Sequence, residues 1–272
     1  MRLLAIILTF FALFFCAQAR TLNEIKDSGF LRVGVLKQEF SMIGYTDEKG
    51  VYHSYDLYLA ARLASDLGVR LELVRVSPNE RINYLASGYA DIMLGNLTYT
   101  AKREKIVDFA RPYMRVYLGI VSYQSAPIKN ENDIPGKRLV VVKNTEAASW
   151  IKKYFKDTVE IIEVSDYFDA LEELFYGRGD GLVVDNTIAI AWAADHEGYV
   201  AGMTKLGEPE VIAPAVQKGN HELLEWLNAE LYELGDKGFF REAFEVTLRP
   251  KFQDAIAPED VIIEEWRVLK LQ

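Results

Sequence analysis

Apolar residues along this chain fall into short runs separated by amphipathic stretches, and the order repeats. The run LRVGVL, residues 31–36, has the length and β-branched character of a buried strand. A turn signal, Asp47-Glu48-Lys49-Gly50, leads to YDLYLAARLASDLG, where Leu57, Ala60, Ala64 and Leu67 recur at helical spacing and Gly68 supplies the stop. RLELVRV, residues 70–76, reads as a second strand. Ser77-Pro78-x-Glu80 then predicts a cap, a proline in the first turn and a capping acid for a helix through Ile82 and Leu85 to Gly88. Residues 90–95 form a third apolar run. This is β-α-β-α-β, the rhythm of a parallel sheet with helices on its faces. Ahead of it, Thr21-x-x-Glu24 and Gly29 bracket a short helix.

After an apolar run at 116–122 and a turn-rich link at 127–136, the rhythm restarts. Strands are predicted at 138–142, 159–164, 181–184 and 211–216. Between them lie a helix opened by Asn144-Thr145, a helix marked by Phe168, Leu171, Leu174 and Phe175, and an apolar helix at 187–194. Asn220 is placed to cap a last long helix carrying Leu223, Leu224, Leu227 and Leu231. The pattern predicts two α/β units without sequence self-similarity, with a helical C-terminal segment left over. Two such units meet at a cleft, the usual place for a small molecule.

The first 19 residues do not belong to this rhythm. Arg2, an apolar run at 3–15 and Ala17-Gln18-Ala19 have the three-part layout of a secretory signal, with cleavage expected after Ala19. A lipoprotein signal would also end at a cysteine, and Cys16 is available for lipid anchoring. Phe14 and Phe15, however, occupy places that normally hold small residues, so removal at 19 is the preferred reading. Cys16 is the only cysteine, so cleavage there leaves no disulfide, thiol nucleophile or cysteine-bound metal. The expected location is the periplasm. The formal charge of −9 becomes −10 once Arg2 is removed, and no basic stripe offers a surface for nucleic acid.

Several catalytic classes find no support in the sequence. It contains no G-x-S-x-G, H-E-x-x-H or glycine-rich phosphate loop. His53, His196 and His221 are scattered without ligand spacing, and no cofactor is expected. Glu172 and Glu173 are helix neighbours that point apart. What remains is a set at strand ends, where open α/β sheets bind ligands. NLTYTAKREKIVDFARPYM, residues 96–114, follows the third strand and carries Thr98, Thr100 and Arg103. A guanidinium fork there suits a carboxylate. Thr145 lies at a helix N-terminus, where free N–H groups favour an anion. Asp185 follows the strand at 181–184. An arginine from one unit and an aspartate from the other could hold the two charged groups of a free amino acid.

These segments resemble the type 3 periplasmic solute-binding proteins that deliver polar amino acids to ABC importers. The similarity rests on LRVGV, YDLYLAARLA, LTYTAKREKIVDFARPYM, VVDNTIAIAWA and VIAPAVQKGNHELLEWLNAEL. DNTIAIAWAADH, LGEPEVIAPAV and the ending APEDVIIEEW bring the chain nearest to the cysteine-binding members. The resemblance implies an α/β, two-lobed periplasmic-binding-protein (type II) fold. Each lobe would be a mixed, mainly parallel sheet flanked by helices, joined by two hinge crossovers. Lobe 1 would comprise 20–115 and 216–272, and lobe 2 residues 116–215. Arg103 matches the carboxylate-binding arginine and Asp185 the ammonium-binding aspartate. Asn96 and Thr98 match positions that line the ligand, and Thr145 the threonine of the second-lobe loop. The implied receptor is a monomer that closes on a polar L-amino acid, cysteine-like by resemblance, and presents it to a membrane ABC permease.

Three departures bear on specificity. The second-lobe loop usually reads Gly-Thr-Thr, whereas this chain has Asn144-Thr145-Glu146. Glu146 would repel a ligand carboxylate unless it turns outward or meets a cation. The first loop, Phe40-Ser41-Met42-Ile43, replaces a proline-rich aromatic segment, which makes Phe40, Met42 and Glu146 the candidate side-chain pocket. Ser54 stands where glycine normally precedes the aromatic-Asp pair. The alternative is a cyclohexadienyl-dehydratase-like enzyme on the same scaffold, with Glu146 as its acid.

Overall fold

The computed structural model describes residues 19–37 and 44–263. The N-terminal segment through Gln18 with Cys16, the Phe40–Met42 stretch and the last residues of the chain lie outside the described residues.

Two five-stranded sheets form the framework. In the first, β1 (Phe30–Leu36) pairs in parallel with β4 (Arg70–Val76) on one side and β5 (Ile92–Met93) on the other. β12 (Ala215–Gln217) runs antiparallel to both β5 and β6 (Val107–Phe109), giving the order β4-β1-β5-β12-β6. In the second sheet, β10 (Gly181–Asp185), β8 (Arg138–Val142) and β9 (Glu160–Val164) are parallel. β7 (Met114–Tyr123) pairs antiparallel with β10 and with β11 (Tyr199–Ile212), in the order β11-β7-β10-β8-β9. A small hairpin, β2 (Tyr45–Thr46) with β3 (Tyr52–His53), closes on Asp47, whose carboxylate accepts from the Lys49 and Val51 amides.

Local chemistry accounts for most helix boundaries. Thr21 and Glu24 form a full capping box on α1 (Leu22–Ser28), and Gly29 ends it with φ 74°. Ser54, the departure from glycine, caps α2 (Tyr55–Leu67) by accepting from the Leu57 amide. The helix α3 (Arg81–Ala86) begins later than Ser77-Pro78 predicts. Glu80 does reach back to the Ser77 amide, at 2.9 Å, but the Ser77 hydroxyl donates to Asn79 and Glu80 and caps nothing. Thr100 caps the single turn α4 (Ala101–Glu104), and Thr145 caps α5 (Glu146–Tyr154). Asp166 caps α6 (Tyr167–Phe175), and α7 (Asn186–Asp195) follows β10 directly. Asn220 precedes α8 (His221–Asp236) without capping it; its amide donates to the Arg20 carbonyl and ties down the N-terminus.

Three elements differ from the pattern reading. The predicted strand at 211–216 is two strands, since Ala213-Pro214 steps between sheets. β11 begins a dozen residues earlier than expected, because bulges interrupt its pairing with β7 and hide its alternation. β6 is too short for a periodic signal. The C-terminal helices α8 and α9 (Phe239–Thr247) pack on the first sheet and on α2, where Tyr55 Oη donates to the Phe240 carbonyl. The turn α10 (Arg249–Phe252), however, lies against α7 of the second sheet through the Lys251–Asp195 pair.

The two chain crossings between the sheets run side by side. The Ala110 amide donates to Pro214 O, Tyr113 N to Ile212 O, and Tyr99 N to Val211 O. Their strands therefore deliver the ends of β5, β6 and β11 to one narrow zone between the sheets.

Candidate functional site

The loop leaving β5 turns at Gly95 and Asn96, both with positive φ, 62° and 51°. Asn144, leaving β8 in the other sheet, has φ 61°. Asparagine is among the few side chains that tolerate this left-handed region, so Asn144 can stand where the resemblance leads one to expect glycine. Each loop is held by an arginine. Arg81 Nη1 donates to Gly95 O at 2.7 Å and to Asn96 O at 2.6 Å. Arg103 Nη1 donates to Thr98 O at 2.6 Å, while its Nη2 crosses between the sheets to Asn144 O at 2.8 Å.

A second crossing contact lies beside the first. Asn96 Nδ2 donates to Asp185 Oδ2 at 2.6 Å. Asp185 is the residue before α7 but makes no side-chain cap to it, so its carboxylate is directed into the space between the sheets. The Asn96 amide donates to the buried carboxylate of Asp56 at 2.9 Å, which also accepts from Tyr113 Oη at 2.5 Å. Asn96, Thr98, Arg103, Thr145 and Asp185 are all buried. Asn96, Arg103 and Asp185 are thus joined through direct contacts or shared loops.

Desolvation governs the charges. Burial, reinforced by Arg81, lowers the Arg103 pKa to about 10, while Glu146, Glu210 and Asp185 oppose the fall. Burial raises the Asp185 pKa against the Asn96 hydrogen bond and the guanidiniums of Arg81 and Arg103. Burial likewise lowers the Arg81 pKa, with Tyr167, Asp185 and Asp56 opposing. Two buried cations and two buried aspartates therefore share one low-dielectric region, where the aspartates offset the cost of burying the guanidiniums and the guanidiniums that of the aspartates.

Thr145 contributes through the backbone. Its hydroxyl donates to Val142 O at 2.7 Å and accepts from the Ala148 amide, so the side chain secures the start of α5. Glu146 resolves the expected repulsion by meeting a cation, with Oε1 3.7 Å from Arg103 Nη2. A cavity of about 500 Å³ opens beside Arg103, bordered by Arg81, Asn79, Lys102, Lys143 and Glu146. Phe40 and Met42, the other candidate pocket residues, fall outside the described residues. Among the described residues no group of His, Cys, Asp and Glu could hold a metal, and no helix is long and apolar enough to cross a membrane.

Four site residues escaped the sequence reading. Arg81 and Tyr167 each open a helix just after a strand, the location rule that found Arg103, but neither carried a motif. Asp56 lies in the aromatic-Asp pair, noted only for the residue before it. Glu210 lies within LGEPEVIAPAV, which served as a mark of resemblance.

Two sheets facing one buried, charge-paired zone across two crossings define a small-ligand-binding protein of the two-lobed periplasmic-binding class. The sequence profile of bacterial extracellular solute-binding proteins, family 3, matches residues 31–246, and the chain belongs to that family. The solved solute receptor for L-cysteine of Neisseria gonorrhoeae is 35% identical, with a TM-score of 0.84 over 90% of this chain and 100% of that one. The cysteine-binding protein from Campylobacter jejuni is also 35% identical, with a TM-score of 0.83 over 89% and 98%. Among curated relatives, the glutamine-binding protein GlnH of the Bacillus subtilis ABC transporter is 27% identical over 82% of this chain and 83% of its own length.

Proposed function

We propose that this chain is the extracytoplasmic receptor of an amino-acid ABC importer, and that Arg103 and Asp185 hold the α-carboxylate and α-ammonium of a free polar L-amino acid. The observation that carries this reading is a buried guanidinium from one sheet and a buried carboxylate from the other, within electrostatic reach and directed into one space. A zwitterion satisfies both at once. Asn96 and Thr98 line that space, and the α5 N-terminus behind Thr145 adds N–H groups for the carboxylate. Residues 20–115 and 216–272 form one lobe and 116–215 the other. They move about the paired crossings, because holding one ligand through both Arg103 and Asp185 requires the lobes to be together. Likeness to the cysteine receptors favours a cysteine-like ligand, and the relatives' importer setting favours a membrane permease as partner. Residues 1–19 act as a removed export signal, and the receptor works in the periplasm as a monomer, without nucleic acid or cofactor.

The test is thermal stability of chain 20–272, stripped of carried-over ligand, with each amino acid and with cystine. A ligand at a hundred times its Kd stabilises by about 2.7 kcal/mol. A response to one polar amino acid or to cystine is expected; silence from folded protein across the panel rejects the reading. The enzyme alternative is tested by incubation with prephenate, from which no aromatic product is expected.

A further inference from the structure

Glu210 has no role in the grip described above, yet it reaches the same space. It lies on β11, where the exposed stretch Gly207-Glu208-Pro209 turns inward. The next two residues anchor it to the loop that carries Arg103: Val211 O accepts from the Tyr99 amide, and Ile212 bridges to Thr98. Glu210 also borders a groove with Glu131, Trp150 and Glu208. Its Oε2 is buried and finds no hydrogen-bond partner among the described residues. The charges that act on it include Asp185, Glu146 and Arg103. Asn96 Oδ1, beside Asp185, is a second buried acceptor without a partner among the described residues. A buried polar atom left unpaired costs more than a hydrogen bond yields, so such atoms at a site mark where a ligand atom belongs.

We propose that Glu210 reads the ligand's side chain: its carboxyl hydrogen-bonds a neutral polar tip such as a thiol, hydroxyl or amide, and excludes amino acids whose side chain is a carboxylate. This rests on the amino-acid reading above and deepens it. The electrostatics select the neutral class. With Arg103 occupied by the ligand's α-carboxylate, Glu210 faces Asp185 and Glu146, so an additional carboxylate meets like charge. A protonated Glu210 carboxyl gives a cationic side chain no counter-charge of its own. Burial, then the charges of Asp185 and Glu146, push the Glu210 carboxyl up to about 8 against the pull of Arg103. At neutral pH it is therefore mostly protonated and offers one donor and one acceptor, which pairs with a neutral tip without charge imbalance.

The experiment is calorimetric titration of chain 20–272 and its Glu210→Gln and Glu210→Ala variants. The probes are L-cysteine, L-serine, L-glutamine, L-glutamate, L-arginine and L-alanine, from pH 6 to 9. Expected is wild-type preference for a neutral polar amino acid, with affinity falling above about pH 8 as Glu210 ionises. Glu210→Ala should weaken that ligand tenfold or more relative to L-alanine, and Glu210→Gln should recover most of the loss and flatten the pH profile. Equal weakening of every ligand, no change for any, or preference for L-glutamate or L-arginine overturns this assignment alone. Binding of none of the amino acids by folded wild type overturns it together with the amino-acid reading.

Discussion

Replacing Arg103 tests the grip directly. Its guanidinium is already oriented by two hydrogen bonds, to Thr98 O at 2.6 Å and Asn144 O at 2.8 Å, so little rotamer entropy remains to be lost on binding. The group is buried, and burial lowers its pKa to about 10, still far above neutrality. A carboxylate meeting this pre-oriented, desolvated cation should lose about 2–5 kcal/mol on truncation to alanine, roughly a 30- to 5,000-fold weaker Kd. Arg103→Lys keeps the charge but not the fork, and cannot reach Thr98 O, Asn144 O and the ligand together, so an intermediate loss of at least about tenfold is expected. The assay is calorimetric titration of the stripped protein with its best amino acid, with thermal unfolding as a control. That control matters because Thr98 and Asn144 lose donors, at a cost of about 1–3 kcal/mol for each carbonyl left unsatisfied. A folded Arg103→Ala variant that binds within threefold of wild type would refute the reasoning.

Asn96→Ala removes the bond to Asp185 and puts a left-handed backbone on a residue that resists it. A stability loss of about 2–4 kcal/mol is expected, and Asn96→Gly should restore only the backbone share. Asp91 is buried between Arg20 and Arg32; burial would raise its pKa, but their hydrogen bonds hold it below the ordinary carboxylate value. Its stabilisation is therefore present above about pH 4 and lost as pH falls through its lowered folded pKa, and Asp91→Asn should cost about 2–3 kcal/mol at pH 7 in denaturant unfolding, less than a fully buried pair because both arginines reach water. Glu210 has the opposite sign. The folded state keeps a proton that the unfolded chain releases, so its contribution is fullest below pH 4.5 and lost as pH rises through about 8. In ligand-free protein Glu210→Gln should be roughly 2–4 kcal/mol more stable than wild type at pH 8, a difference that vanishes near pH 5.

Much of this protein is determined locally. Thr21 with Glu24, Gly29, Ser54 and Gly68 place helix ends through contacts within four residues, and β8 announces itself as an apolar run because both its faces are covered. The strand-end rule picked out Arg103, Thr145 and Asp185 as candidates for the same reason: in α/β units, sequence position after a strand translates into spatial position at the sheet's edge. Tertiary structure decided the rest. β11 and β12 were merged because Ala213-Pro214 separates two sheets without interrupting the apolar run. Ser77 failed as a cap because Asn79 and Glu80 compete for its hydroxyl. Arg81, Tyr167 and Glu210 belong to the site only because loops distant in sequence converge on it, and their charges matter only because that convergence excludes water. Local hydrogen bonding and apolar periodicity are properties of neighbouring residues, whereas burial of a charge is a property of the whole fold.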